Sequence, residues 1–289
     1  MNRKTFIRTL GVAGASVLPV HVGRAEPETA APEFVGILVD TTRCIGCRSC
    51  EMACAETHGF PPPDPDDVVF EKERTPSVTQ WSIVNRHQTD NGEVFAKKQC
   101  MHCNQPACAS ACLTKAMLKT EEGPVIWREP KCMGCRFCMI SCPFDIPKFE
   151  YDSPIPKIQK CTLCWERLQA GQRPACVEAC PAEALQFGKR RELIEETRRR
   201  IASSPDEYIH HVYGEHEAGG TSYMYLSKVP FEQLGFRTDL DTTSYPELSK
   251  DYLYAVPIVL TLWPAFLLAL ANSTKKKESE YNESGGSHE

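Results

Sequence analysis

Sixteen cysteines stand in this 289-residue chain as four consecutive quartets: Cys44/Cys47/Cys50/Cys54, Cys100/Cys103/Cys108/Cys112, Cys132/Cys135/Cys138/Cys142 and Cys161/Cys164/Cys176/Cys180. None is left over. The first and third read C-x2-C-x2-C-x3-C, the second widens its middle gap to residues 104–107, and the fourth to residues 165–175. Such crowding argues against a disulfide framework, because cysteines two residues apart make strained, reducible bridges. Structural zinc sites are usually assembled from two C-x2-C pairs well separated in sequence, not from tight fours. Attached c-type haem needs C-x-x-C-H, and no C-x-x-C here is followed by histidine.

Tight fours suit iron-sulphur cubanes. A 4Fe-4S cluster takes four thiolates, and a C-x2-C-x2-C loop presents three of them to one cluster while a fourth cysteine, followed by proline, reaches a second. Cys142-Pro143 and Cys180-Pro181 complete that bacterial two-cluster run. Four cubanes are expected, with all sixteen cysteines as iron ligands.

The spacing and turn signals divide the cluster region. Residues 34–39 read as a strand leading into the first quartet. Between Cys112 and Cys132 the apolar pieces Ala-Met-Leu and Pro-Val-Ile-Trp flank Glu121-Glu122-Gly123, a hairpin signal. The second and third quartets then form one ferredoxin unit, about residues 95–150. In such a unit the last cysteines exchange, which assigns Cys100, Cys103, Cys108 and Cys142 to one cluster and Cys112, Cys132, Cys135 and Cys138 to another. The first and fourth quartets pair with each other, as Cys44, Cys47, Cys50 and Cys180, and as Cys54, Cys161, Cys164 and Cys176. Spacing alone leaves open a compact unit of the third and fourth quartets. Most of the stretch between them, residues 144–160, has three prolines and no glycine, and reads better as a crossing linker than as a hairpin. The expected fold is therefore α+β and loop-rich: two nested bacterial-ferredoxin-like units over residues 34–190, then an extension over 191–250.

Both ends carry targeting signals. Residues 1–25 hold Arg3, Lys4 and Arg8, an apolar stretch and Gly23-Arg24-Ala25, the outline of a signal peptide. Residues 252–271 are a run of twenty without a charge, long enough at about 1.5 Å per residue to span about 30 Å of hydrocarbon. A transmembrane helix is expected over 251–272, with a tail over 273–289. Lys275, Lys276 and Lys277 follow the run against Lys250 before it, so the positive-inside rule puts the C-terminus in the cytoplasm and the cysteine domain on the periplasmic face of the inner membrane.

The quartets resemble those of four-cluster ferredoxin subunits of exported or membrane-bound oxidoreductases, a family whose members nest the quartets as above. KKQCMHC (97–103), CRFCMISCPF (135–144), CVEACPAEALQFGKRREL (176–193) and HVYGEHEAGGT (211–221) most resemble the iron-sulphur subunit of hydrogenase-2-type nickel-iron enzymes. NRKTFIRTLG resembles a twin-arginine leader, with Lys4 where the second arginine would stand. This resemblance implies an electron-transfer subunit between a nickel-iron hydrogenase and a multi-span membrane subunit handling quinone. Beta subunits of membrane formate dehydrogenases and related molybdo-oxidoreductases share the quartets, a GGT segment and the C-terminal anchor, and are the alternative. A reading of another class is a non-redox metal-binding protein; broad absorbance at roughly 400 nm separates cubanes from it.

No catalytic residues are expected. The chain has neither a G-x-G-x-x-G loop nor a G-x-S-x-G elbow. Its balance of 33 basic to 38 acidic residues, with no long block of like charge, excludes a nucleic-acid partner. His210, His211 and His216 are the one histidine concentration, and the KRRELIEETRRR segment reads as an exposed helix. A basic residue precedes each quartet: Arg43, Lys97 with Lys98, Lys131, and Lys160. Positive charge near a net-negative cluster stabilises its reduced form. Lys160→Ala is accordingly expected to lower the midpoint potential of the adjacent cluster, and an unshifted redox titration refutes it.

Overall fold

The computed structural model describes residues 33–284, with side chains to residue 275. The signal peptide expected over residues 1–25 lies outside them. The expected first strand forms as β1 (Val35–Asp40), and its five C-terminal residues are buried. It pairs antiparallel with β8 (Leu185–Lys189) and parallel with β9 (Tyr223–Leu226), giving the sheet order β8-β1-β9. The chain entering the first quartet is thus hydrogen-bonded to the chain leaving the fourth. Ile37, Val39, Leu185, Tyr223 and Tyr225 from this sheet form the main core together with Cys50 and Cys176.

Three two-stranded ladders follow: β2 (Ile83–Thr89) with β3 (Gly92–Lys98), β4 (Met117–Lys119) with β5 (Val125–Trp127), and β6 (Lys148–Phe149) with β7 (Ile158–Gln159). The β4–β5 pair is the hairpin expected around Glu121-Glu122-Gly123. The β6–β7 pair corrects the expectation of a plain crossing linker. Glu150 closes it, because its amide donates to the Lys157 carbonyl at 3.1 Å and its carboxylate accepts from the Lys157 amide. The prolines that argued against a hairpin, Pro154 and Pro156, sit in its tip.

The same local design recurs at each quartet. The third cysteine is the second residue of a helix: Cys50 in α1 (Ser49–His58), Cys108 in α2 (Ala107–Ser110), Cys138 in α3 (Phe137–Ile140) and Cys176 in α5 (Ala175–Glu178). A further short helix, α4 (Trp165–Gln169), fills the long gap of the fourth quartet. Helix α1 packs on α5, and α2 on α3.

After the last quartet, α6 (Arg190–Ser203) covers the sheet. It is less solvated than its charge suggests. Arg200 is buried and donates to Asp40 at 2.7 Å, where Tyr208 also donates. Arg198 pairs with Glu215 and Arg199 with Glu196 at the exposed surface, so only Arg200 of the arginine cluster is built into the fold.

The last element, α7 (Tyr245–Ser284), is the one described helix long and apolar enough to cross a membrane. Its side chains over the apolar run are exposed, as a lipid-facing span requires. It continues past residue 272, since no proline or glycine interrupts the chain until Gly285-Gly286.

Candidate cluster-binding centres

In every quartet the residue just before the second cysteine is left-handed: Gly46 (φ 70°), His102 (φ 49°), Gly134 (φ 70°) and Leu163 (φ 58°). That conformation turns backbone amides inward, forming the nest that suits an anion. The Leu163 amide accordingly donates to the Cys161 sulphur at 3.3 Å, and later in the second quartet the Met117 amide donates to Cys112 at 3.4 Å. Glycine is required at Gly46 for a second reason, because a Cβ there would stand 2.5 Å from the Phe95 ring. His102 and Leu163 adopt the left-handed turn without glycine's freedom, at a cost of about 1 kcal/mol or more each. Both are buried, so packing holds them there.

The sixteen cysteines are all free thiols, and eight of them wall two recesses in fours. A recess beside β1 is walled by Cys44, Cys47, Cys50 and Cys180 with Lys97. A second is walled by Cys112, Cys132, Cys135 and Cys138. The remaining eight sort by the thiols whose fields act on them. Cys54 feels Cys161, Cys176 and Cys164, whereas Cys103 feels Cys100, Cys142 and Cys108. Fields also cross between the sets: Cys176 acts on Cys50, Cys100 on Cys161, and Cys138 on Cys108.

Where the acid-base character of a thiol here is displaced, burial is the leading cause. Desolvation pushes Cys44, Cys138, Cys142 and Cys164 up to about 11 and Cys161 up to about 12. Cys112 is the exception: its desolvation is outweighed by donors from Met117 and Thr114, and it is lowered. Buried thiols of this kind ionise when a cation takes the proton's place. The donor set fits iron-sulphur clusters: soft, unpaired, largely desolvated sulphur in fours, with amides aimed at it. It fits zinc less well. The thiols ring their recesses without converging, and among the described residues no three His, Cys, Asp or Glu side chains are placed to hold one ion. A tetrahedral zinc needs every sulphur within about 2.3 Å of one point, whereas the thiolates of a cubane bind different irons.

The basic residues before the quartets divide sharply. Arg43 is exposed near Asp40, Lys98 pairs with Glu73 at 2.6 Å, and Lys131 is exposed. Lys97 and Lys160 are each 2 % exposed. Lys160 donates to the carbonyl oxygens of Val125 and Cys161.

The histidines 210, 211 and 216 line one surface cleft. His211 pairs with Glu217 at 2.7 Å, and Glu217 also accepts from the Gly214 amide, so this group braces a loop. The adjoining Gly219-Gly220-Thr221 segment laces that loop to the second quartet. The Asn104 amide donates to Gly220 O at 2.9 Å, and the Ser222 and Tyr223 amides donate to Met101 O. Gly220 is left-handed, and a Cβ there would meet Asn104 at 2.7 Å and the Glu215 carbonyl at 2.8 Å.

Sequence reasoning passed over Glu51. Its carboxylate is buried beside Cys50 and accepts from Arg48, Arg74 and the Val84 amide. Acidic residues beside cysteines are common, and only the tertiary approach of Arg74 reveals this one.

A 4Fe-4S dicluster domain matches residues 92–190. A protein of Nitratidesulfovibrio vulgaris is 45 % identical over 96 % of this chain and 78 % of its own length. The hydrogenase-2 operon protein HybA of Escherichia coli O157:H7 is 34 % identical over the whole of both chains. The nitrate-inducible formate dehydrogenase iron-sulfur subunit of Escherichia coli K12 is 34 % identical over 66 % of this chain and 67 % of its own. With its quartets of facing thiols, the chain belongs to the family of multi-cluster, ferredoxin-type iron-sulphur subunits that includes HybA and the formate dehydrogenase iron-sulfur subunits, and it serves electron transfer without catalysing a reaction of its own.

Proposed function

We propose that this chain conducts electrons between an exported catalytic subunit, a nickel-iron hydrogenase, and an integral membrane subunit that handles quinone. The observation that carries the reading is the clustering of sixteen free thiols, eight of them buried: two recesses are each walled by four, and the fields of the others act within the two remaining groups. When bound, each cubane takes up and releases one electron at a time. The ligand sets proposed are Cys44/Cys47/Cys50/Cys180, Cys54/Cys161/Cys164/Cys176, Cys100/Cys103/Cys108/Cys142 and Cys112/Cys132/Cys135/Cys138. Support for nesting comes from the α1–α5 and α2–α3 contacts and the β1–β8 pairing.

The fields that cross between sets, from Cys176 to Cys50, Cys100 to Cys161 and Cys138 to Cys108, favour a linear order in which these four follow one another as written. Cys47 in the first set and Cys135 in the last are the two exposed cysteines, which suits the ends of a wire. A tether through α7, with the lysines after it read as cytoplasmic by the positive-inside rule, supports clusters on the periplasmic face.

The hydrogenase reading is preferred because the likeness to HybA runs through the C-terminal helix, whereas the likeness to the formate dehydrogenase subunit covers two thirds of the chain. The formate dehydrogenase reading rests on an equal percentage identity. The complex drawn from membranes in mild detergent is expected to hold nickel and, beyond the iron of the catalytic subunit, about sixteen irons for each copy of this chain. Molybdenum or tungsten in place of nickel favours the second reading, and iron far below sixteen overturns four cubanes.

A further inference from the structure

Lys97 lies on β3 and reaches inward, and its ammonium is buried without a carboxylate partner among the described residues. The hydrogen-bond acceptor it has is neutral, the Gln99 Oε1 atom at 2.8 Å. A closed ring of contacts holds it there. Gln99 Nε2 donates to the Tyr225 hydroxyl at 2.6 Å, and that hydroxyl donates to the Lys97 carbonyl at 3.0 Å. The ammonium also stands 5.4 Å from the centroid of the Tyr223 ring, which is itself fully buried.

A lone buried ammonium is costly to keep charged, so a structure that anchors one this carefully supplies negative charge nearby. The candidates are thiolates. Lys97 walls the recess of Cys44, Cys47, Cys50 and Cys180, and its charge is also felt by Cys161 and Cys54 of the neighbouring set. It therefore stands at the junction of two sets.

We infer that Lys97 is the shared counter-ion of the two clusters held between the first and fourth quartets, and that its fixed charge raises the readiness of both to accept an electron. The inference rests on the function proposed above. A cluster with four thiolates is net negative and gains one further negative charge when an electron arrives from its neighbour or from an external reductant. A cation common to both sites favours the reduced form at each, and its effect is strong because intervening solvent is excluded. Gln99 is a positioning residue, acting through Lys97.

The test is a redox titration of the purified complex, followed by electron paramagnetic resonance, with iron measured in parallel. Lys97→Met is expected to move two of the four midpoint potentials downward and leave the other two in place. Lys97→Arg, which restores a cation, is expected to return those two toward their original values. Gln99→Glu keeps the shape of the ring of contacts and sets a carboxylate against the ammonium, so it is expected to lower the same two midpoints even if Lys97→Met fails to assemble. A purely structural role predicts no shift for this near-isosteric change. Unmoved potentials in Gln99→Glu with full iron content overturn the inference, as does an equal shift of all four. Iron far below sixteen in the unsubstituted chain overturns the underlying function instead.

Discussion

Chains carrying Cys142→Ala and Cys100→Ala will lose the same cluster, whereas chains carrying Cys142→Ala and Cys138→Ala will lose different ones. The spacing of the run already assigns Cys138 and Cys142 to different clusters, although proximity along the chain alone would suggest the opposite. The thiols say otherwise: Cys142 lies in the field of Cys100, while Cys138 lies in those of Cys112, Cys132 and Cys135. Short helix α3 explains the divergence. Cys138 is buried near its start, and Cys142 follows its end, where the chain turns away through the left-handed Asp145. The field of Cys161 on Cys54 couples Cys54→Ala with Cys161→Ala, and the recess that Cys50 shares with Cys44, Cys47 and Cys180 separates Cys50→Ala from both. Each substitution should remove about four irons of sixteen and one set of paramagnetic signals. Quartets that each hold their own cluster would make Cys138→Ala and Cys142→Ala spectroscopically identical, and that result would refute the exchanged pairing.

Much of this site was legible because ligand chemistry is local. A C-x2-C-x2-C loop commits its thiols to one centre whatever surrounds it, and Gly46 and Gly134 announce the left-handed turns that loop requires. His102 and Leu163 make the same turn with no such announcement, because tertiary packing holds them there. The β4–β5 hairpin was likewise visible in its turn residues. The β6–β7 pair was not, since its closure depends on Glu150 reaching back to Lys157 across a proline-containing tip. Charge was the least readable property. Lys97 and Lys98 are adjacent in sequence, yet one is buried in a recess and the other pairs with Glu73 at the surface, because successive residues of a strand face opposite ways. Arg200 differs from Arg198 in the same manner, by helical phase.

Removing the Glu51 carboxylate should cost more than any substitution outside the ligands themselves. The side chain is fully buried, and its oxygens accept from Arg48 Nε and Nη2 at 3.2 Å, from Arg74 Nη2 at 2.6 Å and from the Val84 amide at 2.5 Å. Glu51→Ala leaves two arginines, with 9 % and 18 % of their side chains exposed, facing a void. Breaking a buried ion pair from one side typically costs about 3–5 kcal/mol, because the stranded charge keeps its desolvation penalty. That is a large part of the roughly 5–15 kcal/mol that holds a domain together. The damage falls on α1, which carries both Cys50 and Cys54, so two clusters of the proposed wire share the loss. Bleaching of the absorbance at roughly 400 nm in guanidinium is expected to be much faster in Glu51→Ala than in the unsubstituted chain; cluster loss is irreversible, so a rate is the proper measure. Glu51→Gln should fall between, since an amide oxygen can still accept from Val84 without balancing two cations. The decisive comparison replaces Glu51, Arg48 and Arg74 together with methionine. A buried ionic triad is often no better than apolar side chains of similar volume, so the triple variant should bleach more slowly than Glu51→Ala alone. If the triple variant bleaches faster, the triad stabilises α1 directly and uncompensated charge is not the cause of the loss.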